Sequence, residues 1–187
     1  MNATNEGVVS DVMATADDTR QLASGYAVLA RCWRQPDEAL VEAINEDTLS
    51  AVVPDVETVT AEELRLEHTR LFVGPKGPPC PPYESVYRDG EEAAPGNVLG
   101  PSTGAVVKWY QTYDLGLDPD WPDLPDHVAT ELEFAGHLAA EGDADALGQF
   151  LEEHPRQWMR SFLDGVRAET REPFYAELAD ATEDALF

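Results

Sequence analysis

Residues 60–90 read TAEELRLEHTRLFVGPKGPPCPPYESVYRDG, and they contain the two signals that decide the fold. A capping box, in which Glu follows Ser or Thr three residues later, opens the stretch at Thr60. Side chains then recur at helical spacing: Leu64, His68, Leu71 and Phe72. Seven prolines and five glycines between residues 74 and 101 argue against a helix or a central strand there. The stretch therefore predicts an amphipathic helix that runs into a long loop.

Helical periodicity extends over most of the remaining chain. Its first occurrence begins at Asp17 and places five residues on one face: Leu22, Tyr26, Leu29, Ala30 and Trp33. No segment shows the sustained alternation of apolar and polar residues that is typical of a half-buried strand. We therefore expect an all-α, single-domain helical bundle of about six to eight helices over residues 17–187, with one long Pro/Gly-rich loop. Residues 1–16 show no period and are predicted to form a mobile N-terminal arm.

The composition argues against several classes of protein. The 187 residues include 12 Lys and Arg against 37 Asp and Glu, and the resulting net charge of −25 repels nucleic acids and anionic lipid headgroups. No apolar run is long enough for a membrane span, no signal peptide is recognisable, and two cysteines form no disulfide framework. We therefore expect a soluble, cytoplasmic protein without a nucleic-acid partner or stable membrane insertion. Acidic residues spread along the chain are also typical of proteins from halophilic organisms.

A metal-dependent enzyme is the alternative that the residues leave open. His127, Glu131 and His137 share one predicted helix, and helical bundles build metal sites from such side chains. The carboxylate-bridged type of site repeats Glu-x-x-His on other helices, but neither His68 nor His154 has a Glu three positions earlier. The sequence also lacks the Rossmann glycine pattern and a nucleophile elbow. We therefore favour structural roles for these residues and predict no catalytic residue, no metal site and no cofactor.

Four stretches, in order along the chain, resemble one known family. EHTRLFVGP at residues 67–75 resembles a helix end that runs into an LF-x-GP turn, and PPYESVY at residues 81–87 resembles a loop with two prolines and two aromatic residues. LGPST at residues 99–103 precedes a helix, and PDH at residues 125–127 opens one. Together they resemble the TorD/DmsD family of redox-enzyme maturation chaperones. The resemblance covers roughly residues 17–187.

This resemblance implies an all-helical chaperone that is not an enzyme. Such proteins bind the twin-arginine signal peptide and the apo form of a molybdenum-cofactor oxidoreductase, assist cofactor insertion and delay export. For this chain the resemblance implies a client of the dimethyl sulfoxide or trimethylamine N-oxide reductase type, with a nitrate-reductase-type client as the alternative. The matching positions imply a peptide-binding site made of Trp33, His68, Leu71, Phe72, Tyr83, Ser85, Tyr87, Asp126 and His127.

The chemistry of a twin-arginine peptide adds a requirement for carboxylates. Its guanidiniums and its apolar stretch need acidic groups beside an aromatic groove, and Asp126 and Glu84 are the predicted acidic groups. Two roles are open for each residue of the turn before the helix. Asp126 either contacts the client or caps the helix, and His127 either contacts the client or pins the loop. The long loop leaves both a monomer and a domain-swapped dimer open.

Overall fold

A computed structural model describes residues 3–54, 58–74, 77–90, 100–117 and 123–187, with side chains described from residue 17 onward. Over these residues the chain forms nine α-helices and no strand: α1 (Ala3–Trp33), α2 (Glu38–Asn45), α3 (Ala61–His68), α4 (Glu84–Arg88), α5 (Pro101–Thr112), α6 (Val128–Glu141), α7 (Ala144–Glu153), α8 (Pro155–Glu169) and α9 (Pro173–Leu186). The predicted all-α class is confirmed. None of the described helices is both long and apolar enough to cross a membrane.

The long helix α1 packs along α6. Its helical backbone begins at Ala3, within the segment 1–16, and the mobility of that segment stays a prediction. The two helices approach closely at Gly136, where an added Cβ atom would lie 3.3 Å from the carbonyl oxygen of Ala23. A larger residue would push the helices apart, so glycine at this position sets their separation.

The helix α3 begins with the predicted capping box. The Thr60 Oγ1 accepts a hydrogen bond from the Glu63 backbone N–H at 3.2 Å, and the Thr60 N–H donates to the Glu63 Oε2 at 3.0 Å. Both contacts satisfy backbone or side-chain groups that a helix start would otherwise leave unpaired. The box therefore fixes where α3 starts, and with it the register of the residues that follow.

The prediction that no helix forms between residues 74 and 101 is wrong. The short helix α4 lies inside this segment, because residues 83–89 contain neither proline nor glycine. The proline pair at residues 81–82 precedes this helix, with Tyr83 between them as its N-cap. We call residues 77–90 the crossing segment. Residues 75–76 and 91–99 of the predicted loop lie outside the described residues.

An aromatic cluster joins the end of α1 to α8 and α9. The Trp33 ring centroid lies 5.1 Å from that of Phe162, and the Trp33 Nε1 donates a hydrogen bond to the Thr182 Oγ1 at 3.0 Å. Phe72 joins the cluster, with its ring centroid 5.4 Å from that of Tyr175. Buried aromatic pairs of this kind stabilise a fold by about 0.5–1.5 kcal/mol beyond the burial of their surface. The cluster therefore holds the end of α1 in place.

Candidate functional site

The first wall of the site is a π-helical turn, Thr69–Val73, that continues α3. Leu71 and Phe72 are buried, whereas the Val73 side chain is 61% exposed. The Leu71 carbonyl oxygen accepts a hydrogen bond from the Cys80 N–H at 3.0 Å, which ties the crossing segment to the turn. Single π-helical turns of this kind occur frequently at functional sites.

The second wall is the turn that precedes α6. His127 caps this helix, because its Nδ1 accepts a hydrogen bond from the Ala129 N–H at 3.1 Å. Asp126 instead pins the crossing segment, since its Oδ2 accepts a hydrogen bond from the Ser85 N–H at 3.0 Å. Tyr83 forms an isolated antiparallel bridge with His127, and their ring centroids lie 5.2 Å apart. Of the structural roles considered, the structure gives the cap to His127 and the pin to Asp126.

A cleft of about 580 Å³, here named the central cleft, lies between these walls and the end of α1. It brings together three of the predicted site residues, namely Trp33, His68 and His127. Its other lining residues were not selected from the sequence: Arg31, Arg34, Gln35, Asp37, Thr69, Val73 and Asp123. A larger groove of about 1040 Å³ between α1 and α6 contains none of the predicted peptide-binding residues. The central cleft is therefore the candidate site.

Burial keeps both histidines of the central cleft uncharged at neutral pH. It lowers the pKa of His68 from 6.5 to about 4, and a hydrogen bond to the Trp33 backbone offsets a smaller part of this effect. Burial lowers the pKa of His127 to about 3, and His68, when protonated, and Arg34 act in the same direction. Burial also raises the pKa of Asp123, whose carboxylate lies beside His127. The cleft thus combines two neutral imidazoles and a partly buried carboxylate with two arginines, Arg31 and Arg34, which pair with Asp37 and Glu133.

The remaining predicted site residues lie behind the cleft or beside it. The Phe72 ring centroid is 5.1 Å from that of His68 and 5.9 Å from that of Trp33, so Phe72 supports the cleft from the core. Tyr87 is partly buried and packs on Trp158, with 5.4 Å between ring centroids. Four more predicted residues are buried: Leu71, Glu84, Ser85 and Asp126. Trp33, His68 and His127 are themselves buried, with 1%, 8% and 4% of their surface exposed, so they reach the cleft only through small parts of their side chains.

Glu84 is the centre of a buried polar cluster. Its carboxylate pairs with Arg88, and its Oε2 lies 2.9 Å from the His154 Nδ1. Burial and the neighbouring charge of Glu84 raise the pKa of Glu131 well above its ordinary value. Asp126 is fully buried as well. Both acidic groups predicted for the peptide guanidiniums are thus engaged inside the protein, because a buried charge needs internal partners.

The alternative of a metal site on α6 finds no support in the side-chain geometry. Among the described residues no group of three or more His, Cys, Asp or Glu side chains is placed to hold a metal ion. His127 uses its Nδ1 to cap the helix, Glu131 is completely buried, and His137 packs against the Phe134 ring at 6.2 Å between centroids. The three side chains therefore have separate structural environments.

The sequence contains only weak signals for the lining residues that the prediction missed. Asp123 belongs to the acidic, turn-rich segment before Pro125, where several acidic residues are equivalent by sequence. Val73 directly follows two helical core residues, and a regular α-helix would have given it no special position. Helical periodicity places Val73 opposite Leu64 and so predicts its exposure, but it does not predict that Val73 lines a cleft.

The part of the chain that contains the central cleft matches a known protein family. Residues 33–164 match the family described as nitrate reductase delta subunit. The matched range starts at Trp33 and contains His68, Asp123 and His127. It therefore includes residues from all three sides of the central cleft.

Two individual relatives are named as a proofreading chaperone and an assembly chaperone. The Tat proofreading chaperone DmsD of Salmonella paratyphi A is 30% identical over 135 residues, which are 72% of this chain and 64% of that protein. The chain thus spans less than two thirds of that relative. The chlorate reductase assembly chaperone protein of Ideonella dechloratans is 28% identical over 173 residues, or 86% of this chain and 83% of that protein.

One solved structure is similar over most of its length. It is the crystal structure described as that of a candidate redox enzyme maturation protein from Archaeoglobus fulgidus. The two chains superpose with a TM-score of 0.58 at 26% sequence identity, covering 87% of this chain and 91% of the other. The helical architecture is therefore shared with that protein.

Proposed function

The chain belongs to the nitrate reductase delta subunit family, and on this basis we propose that it is a chaperone in the assembly of a molybdenum-cofactor oxidoreductase. In this proposal it acts in the cytoplasm, where it binds the twin-arginine signal peptide and the apo form of the catalytic subunit. Holding the apo form assists cofactor insertion and delays export. The proposal gives the chain no catalytic step and no cofactor of its own. The relatives named above are likewise called chaperones.

The central cleft is the observation that carries this proposal. A signal peptide of this type presents guanidiniums and an apolar stretch, so its receptor needs a carboxylate next to an apolar surface. Val73 offers an exposed apolar side chain on one wall, and Asp123 offers a carboxylate on the other. The neutral rings of His68 and His127 also line the cleft and add no charge that would repel a cationic peptide.

We divide the predicted site residues into two groups with different roles. The contact group lines the cleft and consists of Trp33, His68 and His127. The positioning group holds the cleft walls from within or beside them and consists of Leu71, Phe72, Tyr83, Glu84, Ser85, Tyr87 and Asp126. In this proposal a substitution in the second group weakens peptide binding by moving a wall.

The proposed client is a reductase of the dimethyl sulfoxide or trimethylamine N-oxide type. The name of the DmsD relative states a Tat proofreading role, which supports a client with a twin-arginine signal peptide but specifies no reductase. A nitrate-reductase-type client is the second candidate, and the description of the matching family favours it. Both clients would present a molybdenum-cofactor subunit, so the same experiment distinguishes them by the protein that it captures.

An affinity pull-down at native salt tests the proposed function. The tagged chain should retain the precursor of a molybdenum-cofactor subunit, identified by mass spectrometry. Val73→Arg should abolish most of this capture, because it adds a positive charge and bulk to the wall that faces a cationic peptide. Leu66→Arg is the matched control, since Leu66 is 65% exposed on α3 and does not line the cleft.

The control separates a lost binding site from a general effect of charge. Capture by the Leu66→Arg variant should equal that of the unmodified chain. Equal capture by the Val73→Arg variant would place the client elsewhere on the surface. Failure of the unmodified chain to retain any molybdenum-cofactor subunit would reject the chaperone proposal.

We also propose that the chain comes from a halophilic organism and works at high salt. The net charge of −25 supports this proposal, because concentrated salt screens the repulsion between so many carboxylates. At such salt concentrations long-range attraction of a cationic peptide is screened as well. Short-range contacts inside the central cleft would then supply the specificity of binding.

A further inference from the structure

A second groove, here named the α1–α9 groove, lies between α1, the turn at residues 51–52 and α9. Its volume is about 630 Å³, and it shares no lining residue with the central cleft. Tyr26 and Leu29 line it with buried side chains, whereas Leu22, on the same apolar face of α1, is 43% exposed. The apolar face of α1 therefore extends beyond the part that the described core covers.

Small side chains keep this groove open. Ala181 and Ala185 lie one helical turn apart on α9 and line the groove from that side. The Tyr26 hydroxyl donates a hydrogen bond to the Ala185 carbonyl oxygen at 3.1 Å, which joins the two walls. Gly25 on α1 has no side chain, and a Cβ atom added there would meet no atom within 4 Å. The two helices are thus held together while the space between their side chains stays free.

The charges around the groove have one sign. Among the described residues that line it, the charged side chains are Asp18 and Asp184, and none is a Lys, Arg or His. No ion pair within 4.0 Å joins either carboxylate to another described side chain. The neighbouring Asp17, by contrast, pairs with Arg20 at 2.7 Å. An apolar surface with two uncompensated carboxylates at its edge is complementary to a partner that is apolar and basic.

We propose that the α1–α9 groove docks a basic amphipathic helix of a protein partner, independently of the central cleft. A helix suits this groove because both walls are helices, whose backbone groups bond internally and offer no edge to an added strand. The apolar face of the partner helix covers Leu22, and its basic residues pair with Asp18 and Asp184. A second copy of this chain does not fit, since docking through the same groove would bring like charges together.

Fluorescence anisotropy with two labelled synthetic peptides tests this proposal on the full chain. The lysine probe is a helix-forming peptide of about 18 residues, or about five turns, with leucines on one face and lysines beside them. The glutamate probe has glutamates in place of the lysines. At about 1 M KCl the screening length is about 3 Å, which removes general attraction to the acidic surface. We expect the unmodified chain to bind the lysine probe more tightly than the glutamate probe.

A side chain placed in the groove should block binding. Gly25→Leu should weaken binding of the lysine probe by about tenfold or more, because the added side chain occupies the space that the partner needs. Gly148→Leu is the matched control, since Gly148 lies in α7, outside the groove, with equally open space at its Cβ position. Both variants replace a helical glycine, so neither should lower the thermal unfolding temperature.

The role of the two carboxylates is tested separately. The double variant Asp18→Asn with Asp184→Asn should lose most of the preference for the lysine probe. Asp114→Asn with Asp145→Asn is the matched control, because both residues are exposed and lie outside the groove, and the change in net charge is the same. An equal loss of preference in the two double variants would overturn the proposal, since only the total charge would then matter.

Three further results would overturn the proposal. One is binding of the lysine probe by Gly25→Leu as tight as that by the Gly148→Leu control. Another is loss of this binding in Val73→Arg, which would place the probe in the central cleft. The third is failure of the unmodified chain to bind the lysine probe. None of these results touches the chaperone proposal, which is decided by capture of a molybdenum-cofactor subunit.

Discussion

At the scale of single residues, Glu131 shows how a buried carboxyl group is accommodated by carrying a proton. Its Oε2 accepts a hydrogen bond from the Trp158 Nε1 at 3.0 Å, whereas no donor reaches its Oε1. Burial and the adjacent charge of Glu84 raise the pKa of Glu131 well above its ordinary value. We infer that a proton on the Oε1, shared with Glu84, satisfies both carboxyl groups. Neutral Glu131 thus joins α6 to the crossing segment.

Replacing Glu131 by Gln should remove a pH dependence of stability. A carboxyl group whose pKa is raised by folding stabilises the folded state fully below its unfolded pKa, near 4.5, and this contribution is lost as pH rises through the folded pKa. Each unit between the two pKa values corresponds to about 1.4 kcal/mol. Glu131→Gln copies the protonated form, so it should be more stable than the unmodified chain at alkaline pH and lose less stability on going from pH 5 to pH 8.

Urea unfolding at several pH values measures this difference. Arg88, His154 and Asp126 also act on the buried cluster, so the comparison is made as a difference between the two proteins at each pH. Glu131→Ala serves as the control, because it removes the titrating group and both hydrogen bonds and should destabilise the fold at every pH. A pH slope that is unchanged in Glu131→Gln would mean that Glu131 is ionised in the folded protein.

The family resemblance implied site residues that residue type and spacing alone did not single out. Three of them, Trp33, His68 and His127, do line one cleft. The roles of Asp126 and His127 could not be assigned, since either side chain can accept a hydrogen bond at a helix start. Which one caps depends on Ser85, which approaches from the crossing segment. That contact is a property of the folded chain.

At the scale of elements, helical periodicity predicted the helices well, and local exceptions escaped it. The proline-rich segment was correctly predicted as a loop at its proline pairs, but α4 forms where seven residues contain no proline or glycine. The π-helical turn Thr69–Val73 is a second exception, because an extra residue within one turn leaves no mark in the spacing of apolar residues. The π-helical turn supplies Thr69 and Val73 to the central cleft, and α4 is bonded through Ser85 to Asp126, the neighbour of His127.

Two helical glycines, Gly136 at the contact between α1 and α6 and Gly148 in α7, should respond to substitution in opposite directions. Gly136→Val should destabilise the protein by about 1–3 kcal/mol, because a side chain there meets the backbone of α1. Gly148→Ala should stabilise it by about 0.5–1 kcal/mol, since Gly148 lies in α7 with no atom within 4 Å of an added Cβ and alanine favours helix. Chemical denaturation of both variants measures these changes. A neutral effect of Gly136→Val would mean that the helices separate freely.

At the scale of the whole molecule, the few cations are shared among many carboxylates. Arg167 illustrates this sharing: its guanidinium pairs with Asp164 at 2.9 Å and with Asp180 at 2.6 Å, and it also contacts Glu183. These contacts join α8 to α9 across their surfaces. They leave most of the 37 acidic residues without a cation of their own, because the chain has only 12 Lys and Arg. Repulsion between carboxylates therefore opposes the folded state at low salt.

Added salt should accordingly stabilise the fold. We expect the thermal unfolding temperature to rise by several degrees between about 0.1 M and about 1 M KCl, as the screening length falls from about 10 Å to about 3 Å. Screening depends on ionic strength alone, so potassium sulfate at equal ionic strength should give most of the same gain, with an extra increment from stronger apolar burial. An unfolding temperature that stays constant or falls with KCl would contradict the prediction.

The central cleft draws its lining from residues 31–37, 68–73 and 123–127, so its sides are far apart along the chain. During synthesis, a nascent polypeptide that has not yet reached α6 lacks the third side altogether. His127 also takes its position from a bond to Ala129, within the first turn of that helix. The central cleft should therefore form only late in translation, after α6 has emerged from the ribosome. An incomplete chain would therefore lack the cleft through which, under the proposed function, it binds a signal peptide.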